Sequence, residues 1–148
     1  MNHPTTIKNI FKEGPISPEF IAHSIAKHQV KIEIGAHATF MGQVRADVID
    51  GKAVSAIDYS AHEPMALEKV AEIREEAFKQ FDLTCMHIYH SLGEVKSGEI
   101  CLFVFVSSSR RKQVYDAIPF IVDQIKARAP IFGKEVFDDQ THQWKTNS

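Results

Sequence analysis

The sequence predicts an α+β domain with a largely antiparallel sheet, and three observations predict it. Apolar residues recur at spacings of three and four in three separate stretches. The runs between them are apolar or alternating and read as strands. Turn signals such as Asp50-Gly51 join neighbouring runs as hairpins. The resulting order is strand, helix, two strands, helix, two strands, helix, hairpin. With 148 residues, 44% of them hydrophobic, the chain suits one domain, residues 1–148, with a proper core.

Taken in order, residues 7–11 are a short candidate strand. Ser17-Pro18-Glu19 then starts a helix, with Ser as cap and Pro at the first helical position. Phe20, Ile21, Ser24, Ile25 and His28 share one side of it, and it should stop near His28. Residues 36–48 read as one long strand, with residues 53–59 returning antiparallel. Asp50-Gly51 fits the turn between them, because a type I′ turn needs positive φ at both central residues. Gly42 interrupts the first strand, where glycine marks a bulge or a close backbone approach. A bulge would turn Arg45 onto the face of Phe40, and a regular strand would leave them on opposite faces.

Ser60-Ala61-His62-Glu63 has the form of a capping box, with Pro64 in the tolerated first turn. Ala66, Val70, Ile73, Ala77 and Phe81 follow as a helical stripe. Glu68, Lys69, Glu72, Arg74, Glu75, Glu76 and Lys79 form its solvated face, with Glu75 and Lys79 as an i,i+4 pair. Residues 84–92 and 99–107 are two strands joined through Gly93 and Gly98. The second is almost continuously apolar, so both of its faces should be covered.

The third helix begins at about Arg110, and Ser108 or Ser109 is its natural N-cap. Val114, Ala117, Ile118, Ile121 and Ile125 form its core face, and Arg111, Tyr115, Val122 and Lys126 form a stripe beside it. Arg111 and Lys126 are fifteen residues apart, about 22 Å along a straight helix. One small anion cannot touch both, and a bend at Pro119 would not close the gap. Either the two ends serve different parts of a long ligand, or a second subunit brings its arginines to the first subunit's lysine. Pro130 should end regular structure, and residues 134–137 and 143–145 could pair as a terminal hairpin.

Composition removes several function classes. A net charge of −2 argues against general nucleic-acid binding, which needs a basic surface. No apolar run approaches the ~20 residues that span a bilayer, and no signal-peptide segment opens the chain. Cys85 and Cys101 read as reduced core thiols rather than a disulfide, which places the protein in the cytosol. His87 and His90 face opposite sides of a strand, and no metal site is expected. Ser107, Ser108 and Ser109 lack the setting of a nucleophile elbow, and no glycine-rich phosphate loop precedes a helix.

What remains is a cationic, acid-poor set: Arg45, Arg110, Arg111, Lys126, Arg128 and Lys134. Paired arginines beside free helix amides suit a phosphate or carboxylate, although cations spread over a surface would read the same way. A lysine among other cations can donate a proton, accept one or act as nucleophile, and the pattern does not choose.

Four segments in order carry a family likeness: Gly35-Ala36 with Thr39-Phe40-Met41-Gly42-Gln43-Val44-Arg45, Tyr59 to Ala66 as YSAHEPMA, His90-Ser91-Leu92-Gly93-Glu94 with Gly98-Glu99, and Ile125 to Glu135 as IKARAPIFGKE. Together they resemble the large, catalytic subunit of molybdopterin synthase, the MoaE family. The resemblance implies an α/β-hammerhead fold and a central homodimer with a small ubiquitin-like sulfur carrier at each end, a heterotetramer. The carrier's C-terminal Gly-Gly thiocarboxylate would enter a pocket. Two sulfurs would then pass in turn to cyclic pyranopterin monophosphate, forming the molybdopterin dithiolene without a further cofactor. By position, Lys126 matches the family's catalytic lysine and Arg45 the arginine closing its Phe-x-Gly-x-Val-Arg motif, while Arg110 and Arg111 stand where a His-Arg pair stands. Phe40, Gln43, Val44, Arg45, Arg110, Arg111, Gly133 and Glu135 are the substrate-binding positions implied, with Phe40 either against the pterin ring or a plain core residue.

Three departures accompany the likeness. The family's second lysine falls at Gly133, followed here by Lys134, which glycine flexibility could let swing into the vacant role. Ser91 stands where the family has an arginine, and no cationic tail follows Trp144. Two readings therefore stand: a sulfurtransferase using Lys126 and Lys134, or a non-catalytic scaffold that keeps the carrier-docking surface.

Overall fold

The computed structural model describes residues 8–146. Its elements are β1 (Phe11–Glu13), α1 (Pro18–His28), β2 (Ala36–Gln43), β3 (Val48–Ile49), β4 (Lys52–Ala61), α2 (Glu63–Gln80), β5 (Cys85–Lys96), β6 (Ile100–Ser108), α3 (Arg111–Arg128), β7 (Ile131–Phe137) and β8 (His142–Trp144). The strands run β2-β6-β5-β4-β7-β8 across one sheet, with β1 on β5 and β3 on β4. All pairings between these strands are antiparallel except β1 with β5. The α+β class with a largely antiparallel sheet and a C-terminal hairpin is therefore the fold observed.

β6 is the spine. Every residue from Cys101 to Ser108 is buried, as its apolar run predicts, because side chains leave a strand alternately to either side. Leu102, Val104 and Val106 join the core under α2 and α3, with Val70, Ile73, Val114 and Ile121. Phe103 and Phe105 go the other way, into a smaller cluster with Ile16 and Ile21 that seats α1. Ser17 caps α1 as expected, its hydroxyl accepting from the Phe20 amide at 3.1 Å.

Several local expectations hold. Asp50 and Gly51 both take positive φ, 52° and 78°, and close the two-residue turn between Ile49 and Lys52. The ladder of β2 on β6 shifts between Gly42 and Gln43, which is the bulge that Gly42 announces. Cys85 and Cys101 are both buried and unbridged.

Others need correction. The first strand expected at 7–11 begins at Phe11, and Ile7 lies outside the described residues. The single strand over 36–48 ends at Gln43, because the bulge redirects the chain and Val44 leaves the ladder to bond with Gly98 and Glu99. The capping box at Ser60 does not form: Ser60 belongs to β4 and pairs with Phe132. His62 caps α2 instead, its Nδ1 accepting from the Met65 amide at 3.4 Å. Neither Ser108 nor Ser109 caps α3, whose N-cap is Arg110 without a side-chain bond. Ser108 is drawn into β6, its hydroxyl donating to the Asp82 carbonyl at 2.7 Å. Pro130 does not end regular structure, since β7 begins at the next residue. Arg74 is no plain solvated charge either; it is half-buried and donates to the Met86 carbonyl at 2.7 Å. Glu75 and Lys79 do pair, at 3.4 Å.

Candidate active site

Three pieces of chain meet at the C-terminal end of α3: the bulged end of β2, the middle of β4, and the β7–β8 hairpin. They enclose an open cavity of about 330 Å³. It is lined by Phe40, Gln43, Val44 and Arg45 from the bulge, Ile57 and Tyr59 from β4, Cys101 from β6, Lys126 from α3, and Glu135 and Lys145 from the hairpin region. A smaller recess shares Tyr59, Lys126 and Lys145 with it and is closed by His90, Ile125, Ala129, Ile131 and Gly133. Six of the ten expected positions thus gather in one place: Phe40, Gln43, Val44, Arg45, Lys126 and Glu135. Gly133 lines the adjoining recess. The bulge is what lets Phe40 and Arg45 reach the same cavity.

The remaining three lie elsewhere. Arg110 and Arg111 stand at the other end of the continuous 18-residue α3, so within one chain they are about 22 Å or more from Lys126. Lys134 points away from the cavity. It lies opposite Trp144 in the β7–β8 ladder, and its Nζ sits 5.6 Å from the Trp144 ring centroid. Alternation decides this: Gly133 and Glu135 face the cavity, so the residue between them cannot. The same rule brings in a residue that the sequence reading missed. Lys145 follows Trp144, its amide donates to the Gly133 carbonyl at 2.7 Å, and its side chain lines both spaces beside Lys126. The only signal available was the hairpin register, which pairs Lys134 with Trp144 and so puts Lys145 on the face of Gly133.

Gly133 has no room to spare. A Cβ there would sit 2.9 Å from Ile57 Cγ2 and 3.2 Å from Tyr59 Cε1. Gly133→Ala is expected to cost about 1–3 kcal/mol by overpacking, read as a lower denaturation midpoint. An unchanged midpoint would mean that Tyr59 yields freely.

The charge balance also differs from the acid-poor set expected. Asp47 lines the cavity mouth and pairs with Arg45, Nε to Oδ1 at 3.2 Å. Glu135 is buried, and Gln143 Nε2 donates to it at 3.2 Å. Arg128 does not belong to the site, being engaged by Glu76 at 2.8 Å and Glu72 at 3.4 Å on α2. Three cations, Arg45, Lys126 and Lys145, therefore face two carboxylates.

Two buried groups complete the wall. Burial pushes the Tyr59 hydroxyl well above the ordinary phenol range, with Cys101 and Glu135 adding to it. Burial pushes His90 down to about 4, the Lys126 ammonium adding to the shift and the bond to the Ser91 carbonyl opposing it. Between pH 6.5 and 4 the unfolded chain therefore binds the extra proton and the folded chain does not. Stability present above pH 6.5 is lost as pH falls through that window, by on the order of 3 kcal/mol from this residue. Denaturation at pH 7 and pH 5 should show a smaller difference for His90→Gln than for the parent; an equal difference would place the sensitivity elsewhere.

The comparisons with known proteins bear on this arrangement. The family model described as "MoaE protein" matches residues 11–128. The chain belongs to the MoaE family. Among its relatives, the molybdopterin synthase catalytic subunit of Bacillus subtilis (strain 168) is 35% identical over 130 residues, 88% of this chain and 79% of the relative. That of Pyrococcus abyssi is 34% identical over 105 residues, 71% of this chain and 70% of the relative. The Drosophila willistoni relative is longer: the chain spans 31% of it, at 36% identity over 115 residues. A molybdopterin synthase crystal structure from Staphylococcus aureus superposes with a TM-score of 0.81 at 28% identity, over 95% of this chain and 99% of that one. A complex of subunits 1 and 2 of molybdopterin-converting factor from Helicobacter pylori shares the fold, with a TM-score of 0.77 at 16% identity over 93% and 90%. MoaE membership accounts for the hammerhead arrangement of helices and antiparallel sheet. Among the described residues, no helix is long and apolar enough to cross a membrane.

Proposed function

We propose that this MoaE-family chain is the catalytic subunit of a molybdopterin synthase. It takes sulfur from the C-terminal thiocarboxylate of a small ubiquitin-like carrier ending in Gly-Gly and delivers it to cyclic pyranopterin monophosphate, building the dithiolene in two transfers. The observation that carries the reading is the cavity in which Lys126 and Lys145 stand together beside Arg45 in a chain of this family. Its size suits a ligand of a pterin's dimensions. Lys126 stabilises the thiocarboxylate and the oxyanion that appears as the acyl intermediate forms and breaks; a preorganised cation is worth most where charge develops. Arg45 offers a planar fork to phosphate at the mouth, once it exchanges Asp47 for the ligand. Phe40 supplies an apolar wall for the pterin, and Gln43, Val44, Gly133 and Glu135 shape the site.

Arg110 and Arg111 reach a cavity of this kind only from a second copy, so the reading includes a homodimer with a carrier on each large subunit. The compartment proposed is the cytosol. No metal or other cofactor is required of the chain for this reaction.

The alternative, a scaffold that lost a lysine at position 133, is countered by Lys145. It supplies a second ammonium to the recess that Gly133 lines, the part first expected of Lys134. With thiocarboxylated carrier and pterin precursor, Lys145→Ala is expected to slow product formation by about 10- to 100-fold, while Lys134→Ala stays within about threefold. The reverse order would return the role to Lys134. A complex that forms with no product, in the parent protein, would establish the scaffold.

A further inference from the structure

On the opposite face of the sheet from the cavity, three metal-ligating side chains converge. Cys85 and His87 are two apart on β5 and so leave it on the same side. His28, at the last turn of α1, comes down onto them. One donor atom from each residue lies within 4.8 Å of the other two. His28 and Cys85 are buried, and His87 is half-buried. The expectation of no metal site rests on His87 and His90 facing opposite sides of the strand and on the lack of a carboxylate or thiol set at ligand spacing; the fold supplies such a set by bringing His28 onto Cys85 and His87.

The hydrogen bonds settle how the rings are presented. His28 Nδ1 lies 2.7 Å from the Ser24 carbonyl, which only accepts, so the ring carries its proton there and turns the Nε2 lone pair into the cluster. A backbone carbonyl on the far nitrogen is the arrangement that orients metal-bound histidines. His28 Nε2 meets His87 Nε2 at 2.7 Å. Lys8 Nζ approaches His87 Nδ1 at 3.2 Å, and Lys31 Nζ donates to Cys85 Sγ at 3.1 Å.

We propose that His28 Nε2, His87 Nε2 and Cys85 Sγ form a binding site for a zinc-type divalent cation, distinct from the sulfur-transfer cavity. Two imidazoles and one thiolate suit a borderline-soft tetrahedral ion, with the fourth position left to water. Bonds of ~2.0–2.1 Å place two imidazole nitrogens about 3.3 Å apart in a tetrahedron. The rings must therefore part by about half an ångström from their present contact. On binding, the Cys85 thiol releases its proton to solvent, the His87 proton moves from Nε2 to Nδ1, and the ammonium groups of Lys8 and Lys31 withdraw. An ion here would tie the end of α1 to β5.

The test uses the full chain, treated with chelator and titrated with cobalt(II), whose spectrum reports both tetrahedral geometry and a thiolate ligand. One equivalent per chain is expected, with visible tetrahedral bands and a thiolate charge-transfer band. Cys85→Ser should abolish the charge-transfer band, and Cys85→Ser and His87→Gln should each weaken binding by about tenfold or more. Zinc should raise the melting temperature of the parent and of neither variant, and each variant's circular dichroism checks that it is folded. Absence of one-to-one binding in the parent would overturn the proposal, as would a cobalt spectrum that Cys85→Ser leaves unchanged. Loss of sulfur transfer in Lys126→Ala bears on the cavity alone and leaves this outcome independent.

Discussion

Lys126→Ala is expected to lower the rate of molybdopterin formation by about 10²–10³-fold while leaving the fold and the affinity for the carrier intact. Lys126 lies in the last turn of α3, and its side chain lines both the cavity and the recess beside it. The helix is anchored one residue earlier by Ile125 and four residues earlier by Val122, both buried. Truncating an exposed neighbour therefore removes charge without opening a core cavity. What is lost is an ammonium already in place when negative charge develops, and water, which must reorganise, replaces it poorly. Single-turnover assays with thiocarboxylated carrier would show binding at the parent's affinity and slowed transfer. Normal turnover would reject Lys126 as the catalytic cation.

Phe103→Ala is expected to destabilise the chain by about 3–5 kcal/mol. Phe103 is fully buried in β6, where its ring stacks on Tyr89 at 6.3 Å and meets Phe105 and Phe20 edge-on at 6.0 and 6.5 Å. No neighbour can fill the space without leaving its own contacts, so transfer and cavity costs add. For a domain of this length the melting temperature should fall by roughly 10 °C. Because Phe103 belongs to the cluster that seats α1, hydrogen exchange should also rise first in α1. A loss under about 1 kcal/mol would mean that α1 repacks onto the sheet.

Local chemistry made much of this fold legible. Asp50-Gly51 forms its turn because the backbone angles needed belong to those residues. Ser17-Pro18-Glu19 starts α1 because the cap and the first turn are contiguous. The stripes of α2 and α3 face inward as their spacing requires, with Ala66, Val70, Ile73, Val114, Ala117 and Ile121 all buried. Expectations failed where a second segment competed for the same groups. Ser60 and Ser108 are good caps, yet both are held in strand ladders with partners far along the chain. Arg128 counted as a site cation until α2 brought Glu72 and Glu76 against it.

The site divides in the same way. Lys126, Arg45 and Phe40 could be named from ordered motifs, and the resemblance to the MoaE family rested on them before any geometry was known. Whether Lys134 or Lys145 joins them depended on which side of a hairpin each residue leaves, and a one-residue change of register would have exchanged the two. Taken alone, the sequence determined most of the elements and the family, and it named Lys126 as the lysine proposed for catalysis, because these follow from residues close together in the chain. Tertiary structure alone decided which second lysine lines the cavity, the carboxylates Asp47 and Glu135 that temper it, and the meeting of His28 with Cys85 and His87. Each of those depends on strand register or helix docking between distant segments, and the stretches that carry the side chains do not record it.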